Sequence, residues 1–138
     1  MGFNDGVIET FRANGGEVNE PMRWGRSLVL VHITKKDGSE RILPLRAIVT
    51  DDGWHITATA AGSPKNPGWV YNLRRMDETV IEVADADGVA TVPVTITELA
   101  GDERDAIWQR YLEFPVFQSY TEASEGRVFP IFRFARKR

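Results

Sequence analysis

Cysteine is absent from these 138 residues, and histidine occurs twice. Without Cys there is no disulfide framework, no thiolate nucleophile and no Cys-based metal site. His32 and His55 stand apart, with no His-x-His or His-Glu-x-x-His spacing, so the pattern argues against a metal centre. No Gly-x-Ser-x-Gly elbow occurs, which disfavours a Ser-His-Asp hydrolase. No apolar run approaches the roughly 20 residues of a membrane-spanning helix. The N-terminus lacks the basic segment and apolar stretch of a secretory signal. The expectation is a cytoplasmic protein with no bound metal and no transmembrane segment.

Hydrophobic residues make up 42% of the chain and charged residues 27%, which is enough apolar surface for one substantial core. One domain spanning residues 1–138 is expected, with residues 1–26 as an N-terminal helix and arm before a body over 27–138. The net charge of −3 is unevenly spread. Residues 35–75 hold seven basic side chains against four acidic ones, a net of +3, so the remainder sums to −6. A locally basic segment in an acidic protein suits an anionic small molecule better than nucleic acid. Ordinary solvated hairpin charge is the alternative.

Periodicity and turn residues divide the chain into short elements. Val7 to Ala13 reads as a helix stopped by Gly15-Gly16. Leu28 to Ile33 is an apolar run that fits a strand buried on both faces. Turns at Lys36-Asp37-Gly38-Ser39 and Asp51-Asp52-Gly53 separate it from strands over 41–49 and 54–59. Asn66 and Pro67 read as the cap and first position of a helix carrying Trp69 and Leu73 on one face. Strands over 79–84 and 89–98 follow, then a helix capped by Asp102, an aromatic turn with a short helix over 114–120, and a last strand over 129–134. About six hairpin-linked strands with three or four short helices favour a small antiparallel barrel, an α+β fold that is mostly β.

The segment Ala58-Thr-Ala-Ala-Gly-Ser-Pro-Lys-Asn-Pro-Gly-Trp69 has the make-up of a ligand cradle. Its small residues allow close backbone approach, and the following helix start would favour an anion. Lys35, Lys36 and Arg41 flank a hairpin turn and could grip a phosphate or carboxylate, or simply keep the sheet soluble. Trp69 could serve as core or as a stacking platform. Phe114, Phe117 and Tyr120 could line a pocket for a planar ligand or plug the barrel end.

Together these residues resemble a known family. Phe11-Arg12-Ala13-Asn14-Gly15-Gly16, Lys36-x-Gly38-x-x-Arg41-x-x-Pro44-Leu45, Gly62-x-Pro64-x-x-Pro67-x-Trp69-x-x-Asn72-Leu73, Glu103-Arg104, Trp108, Tyr120 and Arg127-x-x-Pro130 are similar, in order and over nearly the whole chain, to the actinobacterial deazaflavin-dependent nitroreductases, which use reduced coenzyme F420. The resemblance implies a split β-barrel like that of FMN-binding proteins, and an oxidoreductase that passes a hydride to a quinone, activated alkene or nitro compound. It implies that Lys35, Lys36 and Arg41 hold the phosphate and acidic tail, and that Pro44, Leu45 and Arg46 run along the cofactor. Thr57, Ala58, Thr59 and Ala60 would pass beneath the ring with their backbone N–H groups, and Gly68, Trp69 and Asn72 would close the other side. Phe117 and Tyr120 would border the acceptor, with Tyr120 the candidate proton donor. A homodimer is compatible with the relatives. The chain departs from the family pattern at Asp37, in the place of a hydroxyl, at Ala60, in the place of a Lys, and at Phe117, in the place of a Tyr. Those departures leave two alternatives in view: an FMN-binding split-barrel oxidoreductase, and a non-catalytic protein that sequesters F420.

Overall fold

The Lys36–Ser39 turn builds the first hairpin. Gly38 sits at φ 88°, where a side chain would be strained, and Lys35 N–H donates to the Ser39 carbonyl at 2.8 Å. It joins β1 (Leu28–Thr34) to β2 (Glu40–Arg46) in a register running from Leu28 opposite Arg46 to Thr34 opposite Glu40. In this computed structural model, residues 3–20, 24–59, 66–86, 88–123 and 128–137 are described. The chain continues through β3 (Ile48–Thr50), β4 (Gly53–Thr57), α2 (Gly68–Arg74), β5 (Glu78–Asp85), β6 (Gly88–Glu98), α3 (Gly101–Tyr111), α4 (Pro115–Ala123) and β7 (Ile131–Arg136), with α1 (Phe3–Ala13) preceding β1.

The seven strands form one antiparallel sheet in the order β2-β1-β5-β6-β7-β4-β3. β2 and β3 are its two edges, yet only Ala47 separates them in sequence. A sheet whose opposite edges are joined by one residue must curl until those edges meet. The result is a half-barrel, closed by the Ala47 connection at one end and split beyond it.

The curl encloses the main core, where Val31, Ile33, Ile56, Val70, Leu73, Ile81, Val94 and Phe134 are completely buried. Two apolar clusters pack outside the sheet. Under α1 lie Val7, Phe11, Val18, Leu28 and Leu30, and under α3 and α4 lie Trp108, Tyr111, Phe117 and Phe129 with their neighbours. Between α1 and β1 the arm closes on itself, with Val18 N–H donating to the Gly25 carbonyl at 2.8 Å.

Several local expectations need correction. The strand expected over 41–49 is two strands, because the chain crosses from one sheet edge to the other at Ala47, whose N–H donates to Ser27. Pro67, rather than Asn66, precedes α2. Its ψ of 154° keeps it extended, so the helix starts at Gly68 without a side-chain cap. Asp102 lies within α3, whose cap is Ala100, and complements the helix dipole from the first turn.

Candidate active site

The split between β2 and β4 is where the candidate residues converge. A pocket of about 200 Å³ lies there, lined by Pro44, Leu45 and Arg46 of β2, by Thr57 and Thr59 of β4 and its continuation, and by Phe117 and Tyr120 of α4. α1 adds Asn4 and Val7, the arm adds Trp24, and β1 adds Leu28. None of these last four was legible as a site residue. Val7 reads as one of many helix-face apolars, and Trp24 reaches the pocket only because the arm folds back through the Val18–Gly25 bridge.

Strand alternation decides which backbone groups face the split. Ala58 N–H donates to the Pro130 carbonyl at 3.0 Å, extending the β4–β7 ladder. Amides along a strand point to alternate sides, so that of Thr57 is directed away from β7, on the side of β2. This corrects the expectation for the cradle: Ala58 has no N–H to offer a ligand, and its side chain is in the main core. Thr57 Oγ1 also donates to the Pro130 carbonyl, at 3.2 Å.

The aromatic wall is held from behind. Phe117 stacks edge-on against Tyr120, with centroids 5.6 Å apart, and tilts against Tyr111 at 4.9 Å. Tyr111 is fully buried, and its hydroxyl lies 2.8 Å from both the Arg46 and the His55 carbonyl oxygens. One O–H thus bridges the end of β2 and β4. Burial drives the Tyr111 pKa far above its ordinary value, so it remains a donor. Behind it, His55 is completely buried with Nδ1 3.0 Å from the Ile48 carbonyl. A carbonyl only accepts, so Nδ1 carries the proton and Nε2 accepts from Arg133 Nε at 3.1 Å. Desolvation lowers the His55 pKa, consistent with a neutral ring.

The remaining candidates lie elsewhere. Lys35, Lys36 and Arg41 are exposed and make no salt bridge among the described residues. The Asp37 carboxylate accepts from Ser39 N–H at 2.9 Å and from its hydroxyl at 2.6 Å, bonds that lower its pKa and fix the turn. Gly68 is exposed, and Asn72 accepts a hydrogen bond from Arg75. Trp69 takes the core alternative, buried against Phe132 with centroids 6.4 Å apart. None of these last three lines the pocket. Ala60 lies outside the described residues, as do Gly62, Pro64, Lys65 and Arg127.

Comparison with known proteins agrees with this architecture. The family model for F420H(2)-dependent quinone reductases matches residues 6–133. A Mycobacterium tuberculosis protein named as an F420H(2)-dependent quinone reductase, Rv3178, is 32% identical over 100 residues, covering 70% of this chain and 81% of its own. The solved structure of an F420-H2 dependent reductase, FDR-A, is 30% identical with a TM-score of 0.64, over 79% of this chain and 94% of that one. A structure described as a domain-swapped dimer is 28% identical with a TM-score of 0.67, over 94% and 97%. A Clostridium acetobutylicum protein of the pyridoxinephosphate oxidase family, at 12% identity and a TM-score of 0.54 over 80% of this chain and 75% of that one, shares the fold alone. Among the described residues no helix is long and apolar enough to cross a membrane. The chain therefore belongs to the F420H(2)-dependent quinone reductase family, enzymes whose cofactor is coenzyme F420.

Proposed function

We propose that this reductase delivers the hydride of reduced F420 to an electron-poor acceptor, such as a quinone, an activated alkene or a nitro compound, in the split between β2 and β4. The observation that carries the reading is the layout of β2. At one end is the pocket lined by Pro44, Leu45 and Arg46, and at the other is the exposed cation of Arg41, in no salt bridge among the described residues, beside the Lys35-Lys36 turn. Arg41 precedes Arg46 by five strand residues, about 17 Å at strand rise.

The dimensions suit the cofactor's division into ring and tail. A pocket of about 200 Å³ is smaller than the ~300–1,000 Å³ that encloses a whole ligand of drug size. It suits a planar ring system, with the acidic tail lying outside along β2 towards Lys35, Lys36 and Arg41. Thr57 would present its N–H to the ring's polar edge, Thr59 would line the same side, and Pro44, Leu45 and the Arg46 backbone would support it. When bound, the reduced deazaflavin supplies the hydride, and the protein supplies orientation and a dry pocket.

Hydride addition to a conjugated acceptor leaves an oxyanion or enolate that must be protonated. Tyr120 lines the pocket, is half-buried, and its hydroxyl makes no hydrogen bond to a described residue. We assign it the role of proton donor or orienter. Val7, Trp24, Leu28 and Phe117 would exclude water from the reacting atoms.

Titrating the protein with oxidised F420 and following cofactor fluorescence tests binding, and loss of F420H2 absorbance in the presence of menadione tests turnover. Saturable binding with quinone-dependent oxidation is expected. No saturable change at micromolar protein would overturn the reading.

A further inference from the structure

The Glu103-Arg104 pair belongs to the sequence pattern, yet neither residue lines the pocket. Both side chains leave the start of α3 for the segment that leads into β7. Glu103 takes the Arg133 guanidinium at 2.8 Å. Arg104 is half-buried, with Nε at 3.2 Å and Nη2 at 2.9 Å from the Phe129 carbonyl oxygen. Its Nη1 lies 3.0 Å from Asp105, and its guanidinium is 5.5 Å from the Trp108 ring centroid. Ile107, Trp108 and Tyr111 already bury the inner face of α3, so docking the helix does not require the Arg104 fork. Two N–H groups of one rigid plane converge on a single oxygen, which fixes the direction of that peptide as well as its distance.

The next residue explains why this peptide needs an anchor. Pro130 has no N–H, so the backbone cannot donate to the neighbouring chain there. Its carbonyl instead accepts twice, from Ala58 N–H at 3.0 Å and from Thr57 Oγ1 at 3.2 Å. One oxygen thus places the end of β4, and the carbonyl before it is the one that Arg104 grips. The Phe129 ring is completely buried against Trp108, with centroids 5.2 Å apart, so the segment has little slack. Thr57, at the far end of this line, borders the pocket. Resting on the proposed function, we infer that Arg104 is a positioning residue for the cofactor ring: through the Phe129 and Pro130 carbonyls it holds Thr57 at the pocket wall.

Two readouts on Arg104→Gln test this. In fluorescence titrations, oxidised F420 and deazariboflavin, which has the ring but neither phosphate nor acidic tail, should both lose affinity by about threefold to tenfold, part of what a charge-assisted hydrogen bond supplies. In the ligand-free protein, amide exchange at Ala58 should quicken by about tenfold, while amides of the β1–β2 ladder keep their rates. A merely structural role would speed both sets together. Arg104→Lys, a point charge without the planar fork, should show an intermediate loss in both readouts, and it carries the test should Arg104→Gln not fold. Unchanged affinity for both ligands overturns the inference, as does a loss confined to F420, which would place the effect at the tail. Ala58 exchange that rises only in step with the β1–β2 amides overturns it too. Failure of the wild type to bind either ligand would sink the proposed function, and the exchange at Ala58 would then decide alone whether Arg104 holds the wall.

Discussion

Replacing Tyr111 by Phe removes one oxygen atom, and the structure gives that atom two tasks. The ring is completely buried among Trp108, Phe117 and Phe129, so the apolar packing survives the change. What is lost is the O–H between the carbonyls of Arg46 and His55, together with the oxygen that accepts from Ile48 N–H. A hydroxyl donates one hydrogen at a time, so the loss is one donated hydrogen bond, and the Ile48 N–H loses the phenol oxygen as its acceptor. A net hydrogen bond contributes about 0.5–1.5 kcal/mol, and a buried acceptor left unpaired costs about 1–3 kcal/mol. Tyr111→Phe should therefore destabilise by about 1–3 kcal/mol, lowering the melting temperature by roughly 3–12 °C for a chain of this size. Thermal denaturation followed by circular dichroism measures the shift. Because the two carbonyls belong to the strands on either side of the pocket, F420 binding should also weaken severalfold in the fluorescence titration. A variant that melts with the wild type and binds F420 equally well would show that this hydroxyl does not clamp the split.

The other predictions concern charge and backbone. Arg41→Ala should weaken F420 binding roughly threefold to fivefold at low salt and less at high salt, as expected for an exposed contact; a salt-independent affinity would remove Arg41 from the tail track. The buried His55 ring has a lowered pKa, so the unfolded chain takes up its proton first. Stability should be complete above about pH 6.5 and fall as the pH drops below it, which urea titrations across that window will register. Glu82 adds a second loss below its ordinary value of 4.5, because the bidentate Arg12 bonds at 2.7 and 2.9 Å hold its pKa down. Glu82→Gln should erase that lower step while destabilising at neutral pH by about 1–3 kcal/mol, and persistence of the step would point to another group. Gly53→Ala should cost at least about 1–3 kcal/mol, because φ is 133° and the new Cβ would collide with the Phe134 carbonyl; a wild-type melt would contradict that geometry.

The fold was legible where local signals agreed with the final pairing. Gly38 and Gly53 mark turns that demand positive φ, and the apolar run of β1 is buried almost throughout. Trp69 and Leu73, four residues apart, do share the buried face of α2. Ala47 carries no such signal. A break there is invisible to periodicity, since both flanking segments are β-formers and only the curl of the distant sheet separates them. The pocket divides in the same way. Pro44, Leu45, Thr57, Thr59, Phe117 and Tyr120 came from motif order, whereas Asn4 and Trp24 depend on how the N-terminal segment docks. Arg12 anchors that docking through Glu82, seventy residues away, a pairing that no local pattern announces.

The shortness of β3 ties the architecture to the chemistry. β3 pairs three residues of β4, Gly53 to His55, and ends at Ile48. Had the pairing continued one strand-length further, β2 would have zipped onto the end of β4 at Thr57, closing the barrel where the split now lies. The crossover at Ala47 prevents this by taking the chain to the other edge just as the two strands come together. Tyr111 then holds them at the distance of a bridging hydroxyl instead of a ladder bond. The pocket is thus the unclosed remainder of a barrel, bordered on one side by Pro44, Leu45 and Arg46 of β2 and on the other by Thr57 and Thr59. Under the proposed function, a flat ring fills this remainder and its acidic tail runs out along β2.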